Sequence, residues 1–373
     1  MNTNTDLNTI FTKFVEKIFV APKGPLNFFK AGEDTITDAL IIEYDVQKSR
    51  KVVAKAKKRG SKATLNGTGA FTNYSHQPPV YKEEKIYTIQ EKDLRGAGEK
   101  FYENDPSRQM KLIKQTAKDI KALSEKINKS LIWQACQVFS TGKIAFSTAG
   151  YSENVSDIDF SCPAAHFATL SNAGTELYWN NASADPLLNM ESHCRLIRLA
   201  GGSPVKNVIF GRTAWHNFKA NTKVLAELEN LRVNYGSIDP QVPGMDGLGF
   251  KGTYFIDQAQ VNFWTYDETF ISPNDNTTET EFIDPTHVLF IADGEYELWF
   301  AGIDVIKDIS DLALSAFLPG NGNVSFVGDR VASSLYVDAR VDKDLDAVLI
   351  RVQQAPLCIP KTNDTFGRLK VLA

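Results

Sequence analysis

Apolar residues recur at alternating steps of three and four through DPSRQMKLIKQTAKDIKALSEKINKSLIWQACQVFSTG. They are Ile113, Ala117, Ile120, Leu123, Ile127, Leu131, Ala135 and Val138. That spacing lays one stripe along a helix that is otherwise rich in lysine. Asp105 stands where an N-cap belongs, Pro106 suits the first helical position and Gly142 is a stop, so the pattern predicts a helix over 105–141. At 1.5 Å per residue it would run roughly 50 Å. The stripe is broad and the chain holds one such helix, which favours packing on a sheet over a dimeric coiled coil.

Ahead of the helix, DALIIEYDV (38–46), SRKVVAKAK (49–57) and VYKEEKIYTI (80–89) alternate as strands do. KKRGSKATLNGTGAFTNYSHQPP lies between the second and third and reads as the tip of a two-stranded excursion. Gly60, Gly67 and Gly69 permit turns there, and Pro78-Pro79 ends it. So long a hairpin with so little apolar content cannot bury itself, so it is either disordered or supported from outside.

Beyond the helix, KIAFSTAGYSENVSDIDFS predicts a hairpin about Gly150. DPLLNMESHCRLIRLAGG predicts an amphipathic helix with Asp185 as N-cap, Pro186 at the first position and Gly201 as stop. KNVIFG follows as a short buried strand, and RTAWHNFKANTKVLAELENLR as two short helices or one broken one. GSIDPQVPGMDGLGF is a Gly- and Pro-rich ordered loop. TYFIDQAQVNFWTY, HVLFIAD and ELWFAGI supply strands, so 185–325 reads as an α/β or α+β unit. SSLYVDARVD and AVLIRVQQAPLCIP restart as strands and are expected to return to the long helix and share its sheet.

Composition adds that 373 residues exceed one ordinary core, so two or three compact parts are expected. No apolar run approaches the ~20 residues of a membrane span, and MNTNTDLNTIFTKFVEKIFV lacks the pattern of a signal peptide, so cytosolic synthesis is expected. A net charge of −4 argues against a general nucleic-acid binder. The positive charge is local. Between Asp45 and Glu83 no acidic residue occurs, while Lys48, Arg50, Lys51, Lys55, Lys57, Lys58, Arg59, Lys62 and Lys82 do. Such a block needs solvent or a negative surface.

Catalytic patterns are weak. NGTGAF and RGAGEKF carry GxG without the rest of a dinucleotide loop, and no GxxxxGK[ST] occurs. His76, His166, His193, His216 and His287 form no metal-binding or nucleophile pattern. His193 and Cys194 are neighbours on a helix and point about 100° apart, which favours packing. Cys136, Cys162, Cys194 and Cys358 are widely spaced and read as small buried hydrophobes. Asp157 with Asp159 is too sparse for a cation site, and Asp338, Asp342, Asp344 and Asp346 read as a solvated turn. No catalytic, cofactor-binding or metal-ligating residue is assigned, and a structural protein rather than an enzyme is expected.

The order of parts is polar arm, basic glycine-containing hairpin, long helix, hairpin, compact unit and returning strands. With TLNGTGAFTNYSHQPPVYK, the long-helix segment, LYWNNASADPLLNMESHCRLIRLAGGSPVKNVIFGRTAWHNFKANTKVLAELENLR and the closing QQAPLCIP, it resembles the lambda-type major head protein family of tailed phages, with its Hong Kong 97-type fold. The resemblance runs from about residue 20 nearly to the end. It implies an α+β chain divided into an N-terminal arm (1–45), an extended loop (46–85), a peripheral domain (86–166) with spine helix 105–141, an axial domain (167–329) and C-terminal strands returning to the peripheral domain (330–373). The implied function is assembly into hexamers and pentamers of an icosahedral shell around double-stranded DNA. Lys55, Lys57, Lys58, Arg59 and Lys62 would then touch a neighbouring subunit. Partners would be the chain itself, a scaffold, a portal and a decoration protein, with DNA contacted non-specifically and no membrane. The place would be the virion, after assembly in the host bacterial cytoplasm. Three other readings compete: an encapsulin-like cargo shell, an enzyme with its site in 185–325, and a DNA-binding protein using the basic arm.

Overall fold

The long helix is the axis about which the other elements are arranged. The computed structural model describes residues 24–47, 71–88, 108–146, 155–231, 245–271, 278–306, 328–342 and 347–373. Within them α1 spans Arg108–Thr141; Asp105 and Pro106 lie outside the described residues. Ile120, Ile127, Leu131, Ala135 and Val138 are buried, as one apolar stripe requires. From Leu131 onward burial spreads around the cylinder and takes in Trp133, Gln134, Cys136, Phe139 and Ser140. The last three turns are therefore an interior helix, which the polar letters Gln134 and Ser140 concealed. The helix stops at Gly142, where φ is +70° and the N–H donates to the Val138 carbonyl at 2.8 Å. A Cβ there would stand 2.9 Å from both Cys162 and Phe167, so the turn requires glycine.

Residues ahead of α1 wrap its buried end. A 3-10 turn over Gly24–Phe28 buries Leu26. Lys30 and Ile36 then bridge in parallel to Glu297 and Phe300. Strand β1 (Ile42–Gln47) pairs antiparallel with β2 (Phe71–His76), from Ile42 opposite His76 to Gln47 opposite Phe71. The sequence reading placed FTNYSH in a loop tip, whereas it is the returning strand. The expected strand at 49–57 and Gly60, Gly67 and Gly69 lie outside the described residues. Strand β3 (Tyr81–Thr88) has β17 (Ala347–Gln354) as its partner, and β17 also pairs with β16 (Tyr336–Asp342). That three-stranded sheet lies on α1. The expected hairpin after α1 is present as β4 (Lys143–Ile144) against β5 (Ile158–Asp159), with Gly150 outside the described residues.

A six-stranded mixed sheet forms the second layer. Its order is β6 (Phe167–Thr169), β19 (Phe366–Lys370), β12 (His287–Ala292), β7 (Val205–Phe210), β9 (Ala259–Thr265) and β8 (Gly249–Ile256). Helix α2 (Pro186–Gly201) lies on one face, with the Asp185 carboxylate accepting from the Leu188 N–H and Gly202 closing the other end in the left-handed region. Helices α3 (Arg212–Ala220) and α4 (Thr222–Leu231) are separate. Asn221 divides them: its side chain donates to the Ala184 carbonyl and accepts from the Lys223 N–H. Most of the Gly- and Pro-rich loop that follows lies outside the described residues.

Alternation along the strands gives the sheet two apolar faces. Ile209, Trp264, Leu289, Ile291 and Phe366 join the core around α1. Val208, Phe210, Phe263, Val288, Phe290 and Leu369 join a second core with α2, α3 and α4. Shorter ribbons complete the body: β10 (Thr269–Ile271) with β11 (Glu279–Glu281), β13 (Tyr296–Phe300) with β18 (Pro356–Pro360), and β14 (Ile303–Ile306) with β15 (Gly328–Val331). The tail meets α1 through β17, β18 and β19. Strand β19 also pairs inside the six-stranded sheet, so the end of the chain ties the two layers together.

Candidate assembly surface

The basic segment leaves and re-enters the body through the β1–β2 ribbon, so the ribbon's construction decides how that segment is held. Ile42 and Tyr44 are buried and Val46 half-buried, while Glu43 and Asp45 are exposed. On β2, Tyr74 and His76 are half-buried between exposed neighbours. One face thus rests on the body and the other meets solvent. The inner face is a run of rings: Tyr44 stacks on Tyr74 at 5.5 Å, and His76 lies 5.8 Å from Tyr44 and 6.4 Å from Tyr74. His76 then meets Phe160 of the body edge-on at 5.2 Å. Its Nε2 lies 3.4 Å from the Tyr44 hydroxyl. Burial lowers the His76 pKa, opposed by Asp159, and burial raises that of the Tyr44 phenol.

The next strand is held differently. Along β3, Glu83 takes an ion pair from Lys126 at 2.7 Å, and Lys85 reaches Asp119 at 2.8 Å. Tyr87 donates to the same Asp119 carboxylate at 2.6 Å. Tyr81 accepts from Gln134 Nε2 at 2.8 Å, and Gln134 Oε1 accepts from the Cys358 N–H. Every second residue of β3 therefore faces α1. On the other face, Glu84 pairs with Arg351 at 2.8 Å.

The five predicted contact residues, Lys55, Lys57, Lys58, Arg59 and Lys62, lie outside the described residues. The sequence reading passed over the ring set Tyr44, Tyr74, His76 and Phe160 at the root of that segment. The signal that could have found it is the alternation of Ile42, Tyr44 and Val46 facing that of Tyr74 and His76.

The candidates for chemistry are engaged in packing or pairing. His193 and Cys194 are both buried. The His193 ring lies 4.8 Å from that of Phe290, and burial brings its pKa down to about 4. Burial pushes the Cys194 thiol up, away from the reactive thiolate. Cys136 and Cys358 are buried too, and Cys162 is half-buried. Asp159 is bound by Lys143 at 2.7 Å and by the Ser161 N–H at 2.9 Å, and Asp338 stands opposite Arg351. Among the described residues no group of three His, Cys, Asp or Glu side chains could hold a metal ion. No described helix is long and apolar enough to cross a membrane.

The family model for phage major capsid protein E matches residues 24–371. The chain belongs to that family. It is a phage major capsid protein, a structural component of the virion. A prophage protein of E. coli CFT073 assigned as a capsid protein shares the fold at a TM-score of 0.60 and 15% identity, over 98% of this chain and 99% of its own. The capsid subunit of cyanophage A-1(L) gives 0.45 at 15% identity, over 95% and 94%. The SrpI encapsulin of Synechococcus elongatus PCC 7942 gives 0.42 at 8%, over 96% and 94%, a likeness too slight to support the cargo-shell reading. No curated protein matches by sequence. The resemblance to phage head proteins is borne out, and the fold is of the Hong Kong 97 type.

Proposed function

We propose that copies of this chain form the hexamers and pentamers of an icosahedral head that encloses double-stranded DNA, and that the β1–β2 ribbon is the root of an arm laid over an adjacent copy. The carrying observation is the ribbon itself: anchored on one face by rings, it leads into a run of eight Lys and Arg, Lys48 to Lys62, with no acid. In this reading residues 1–45 are the N-terminal arm, 46–85 the extended loop, 86–166 the peripheral domain, 167–329 the axial domain and 330–373 the returning strands. Lys55, Lys57, Lys58, Arg59 and Lys62 meet acidic surface on the neighbour, which a net-negative chain can provide. Many modest contacts become cooperative when a symmetric shell closes. Assembly takes place in the host bacterial cytoplasm, with a scaffold, a portal and a decoration protein as further partners. Packaged DNA is contacted through its phosphates.

Negative-stain microscopy of the protein expressed alone should show closed shells. Lys57→Glu with Arg59→Glu should yield fewer shells at low salt, and the gap from the unaltered protein should narrow as salt screens the new repulsion. Equal yields at every ionic strength would remove the basic arm from the assembly contact.

A further inference from the structure

We propose that His76 is the positioning residue of the ribbon: its neutral ring sets the angle at which β1 and β2 stand on the body, and a proton added to that ring frees them. The consequence for shells rests on the arm reading above, whereas the positioning itself does not.

The argument starts from where the contact falls. His76 is the last residue of β2 and stands opposite Ile42, a buried residue at the foot of the ribbon. Tyr44 and Tyr74 stack within the ribbon, and among the described ring contacts only that of His76 with Phe160 crosses from ribbon to body. The body side is fixed. The Phe160 N–H donates to the Gly142 carbonyl, and Asn363 Nδ2 donates to the Phe160 and Ser161 carbonyls at 3.0 and 3.1 Å. Phe160 is thus a fixed partner, and the His76 ring meets it at the edge of the core that Ile42 and Tyr44 enter.

The charge around His76 makes this contact sensitive to a proton. Tyr44 faces it from β1 and Tyr74 from β2; from the body come Phe160 and Asp159, with Lys143 of β4 paired to Asp159. Cys162 lies close enough to act on Tyr44. Asp159 is the carboxylate that acts on His76, and it is already engaged by Lys143 and the Ser161 N–H. An imidazolium among these rings would lose hydration without a free counter-ion. The folded ring therefore holds a proton less well than a solvated imidazole, whose pKa is 6.5. The anchoring is complete above that value and is lost as pH falls through the lower folded value.

Hydrogen exchange of the full-length protein, kept as unassembled subunits, reads this directly. Between about pH 7 and about pH 5, after correction for intrinsic rates, the ribbon amides should lose protection relative to those of β12 and β19. His76→Phe keeps a ring that takes no proton and should hold full protection at both values; His76→Ala should already be loose at neutral pH. Asp159→Asn removes the charge that favours the imidazolium and should move the transition to lower pH. A His76→Phe profile that tracks the unaltered protein, or an unaltered protein without the drop, overturns the proposal. If β12 and β19 lose protection in His76→Phe, the Asp159→Asn shift decides, and no shift or an upward one overturns it. Light scattering of assembly over the same pH range separates the two readings. Ribbons that loosen while shells form normally would leave His76 in its role and sink the arm reading.

Discussion

Phe139 on α1 and His76 on β2 are both rings among rings, yet their surroundings differ in kind. Phe139 is fully buried and meets Phe28, Phe29, Tyr296 and Phe366 at 6.0, 5.2, 5.4 and 5.4 Å. Those four come from the entering chain, β13 and β19, so one side chain joins three elements far apart in sequence. His76 has ring partners along one side of a two-stranded ribbon, and the ribbon's other face is exposed. A side chain packed from every direction has one place to be. A ribbon that rests on one face gives up fewer contacts when it shifts: Ile42 and Tyr44 reach the core around α1, while Glu43 and Asp45 are exposed.

The comparison breaks first at Phe139. Phe139→Ala should cost about 3–5 kcal/mol, because a cavity opens where three elements meet. Denaturant unfolding should show this as a lower midpoint with an unchanged slope. A loss confined to ribbon amides, with the six-stranded sheet still protected, would mean that Phe139 is no centre.

Acid should act on the ribbon and on the second core through different histidines. His193 is buried on the inner face of α2, and its pKa is brought down to about 4 by burial first and then by His166. The unfolded chain takes up a proton near 6.5 and the folded one does so only near 4. Stability is therefore complete above 6.5, falls as the pH drops and levels off below about 4, for a total on the order of 3 kcal/mol from this residue. His193→Gln should flatten that part of the curve of stability against pH, measured by denaturant titration at successive pH values. His287 is brought down to about 4 by burial as well, so part of the acid loss should survive the substitution. An unchanged acid curve in His193→Gln would mean that His193 does not report on the second core.

What the sequence made legible follows from where each signal is stored. α2 was readable to within a residue because Asp185, Pro186 and the Gly201-Gly202 pair mark its ends locally, as caps do. The stripe of α1 was equally plain. The all-round burial from Leu131 onward was not, because it depends on Phe366, Cys358 and Phe29 arriving from elsewhere. FTNYSH reads from the sequence as part of a loop tip because its partner strand lies some thirty residues upstream and its inward side chains are two half-polar rings. Gln134 is a polar residue with a fixed interior role, tied to Tyr81 and Cys358, and no local pattern foretells that. The His76 contact was hidden for the same reason, since it needs β2, β5 and the carbonyl ties to Asn363 at once.

The smallest expected effect lies on the outer face of the ribbon and tests the comparison most sharply. Asn73 Nδ2 donates to Asp45 Oδ1 at 2.9 Å, across β1 and β2 and in full view of solvent. Water can replace that bond, so Asn73→Ala should change stability by no more than about 0.5–1 kcal/mol by denaturant unfolding. The ring stack beneath it should keep the ribbon amides protected. If the ribbon is held by one face, a neutral change on the other must leave its angle and its pH response as they were. A loss of about 2 kcal/mol or more would mean that the outer face is also a packed one. The ribbon would then resemble the surroundings of Phe139, and a single ring contact could not set its angle.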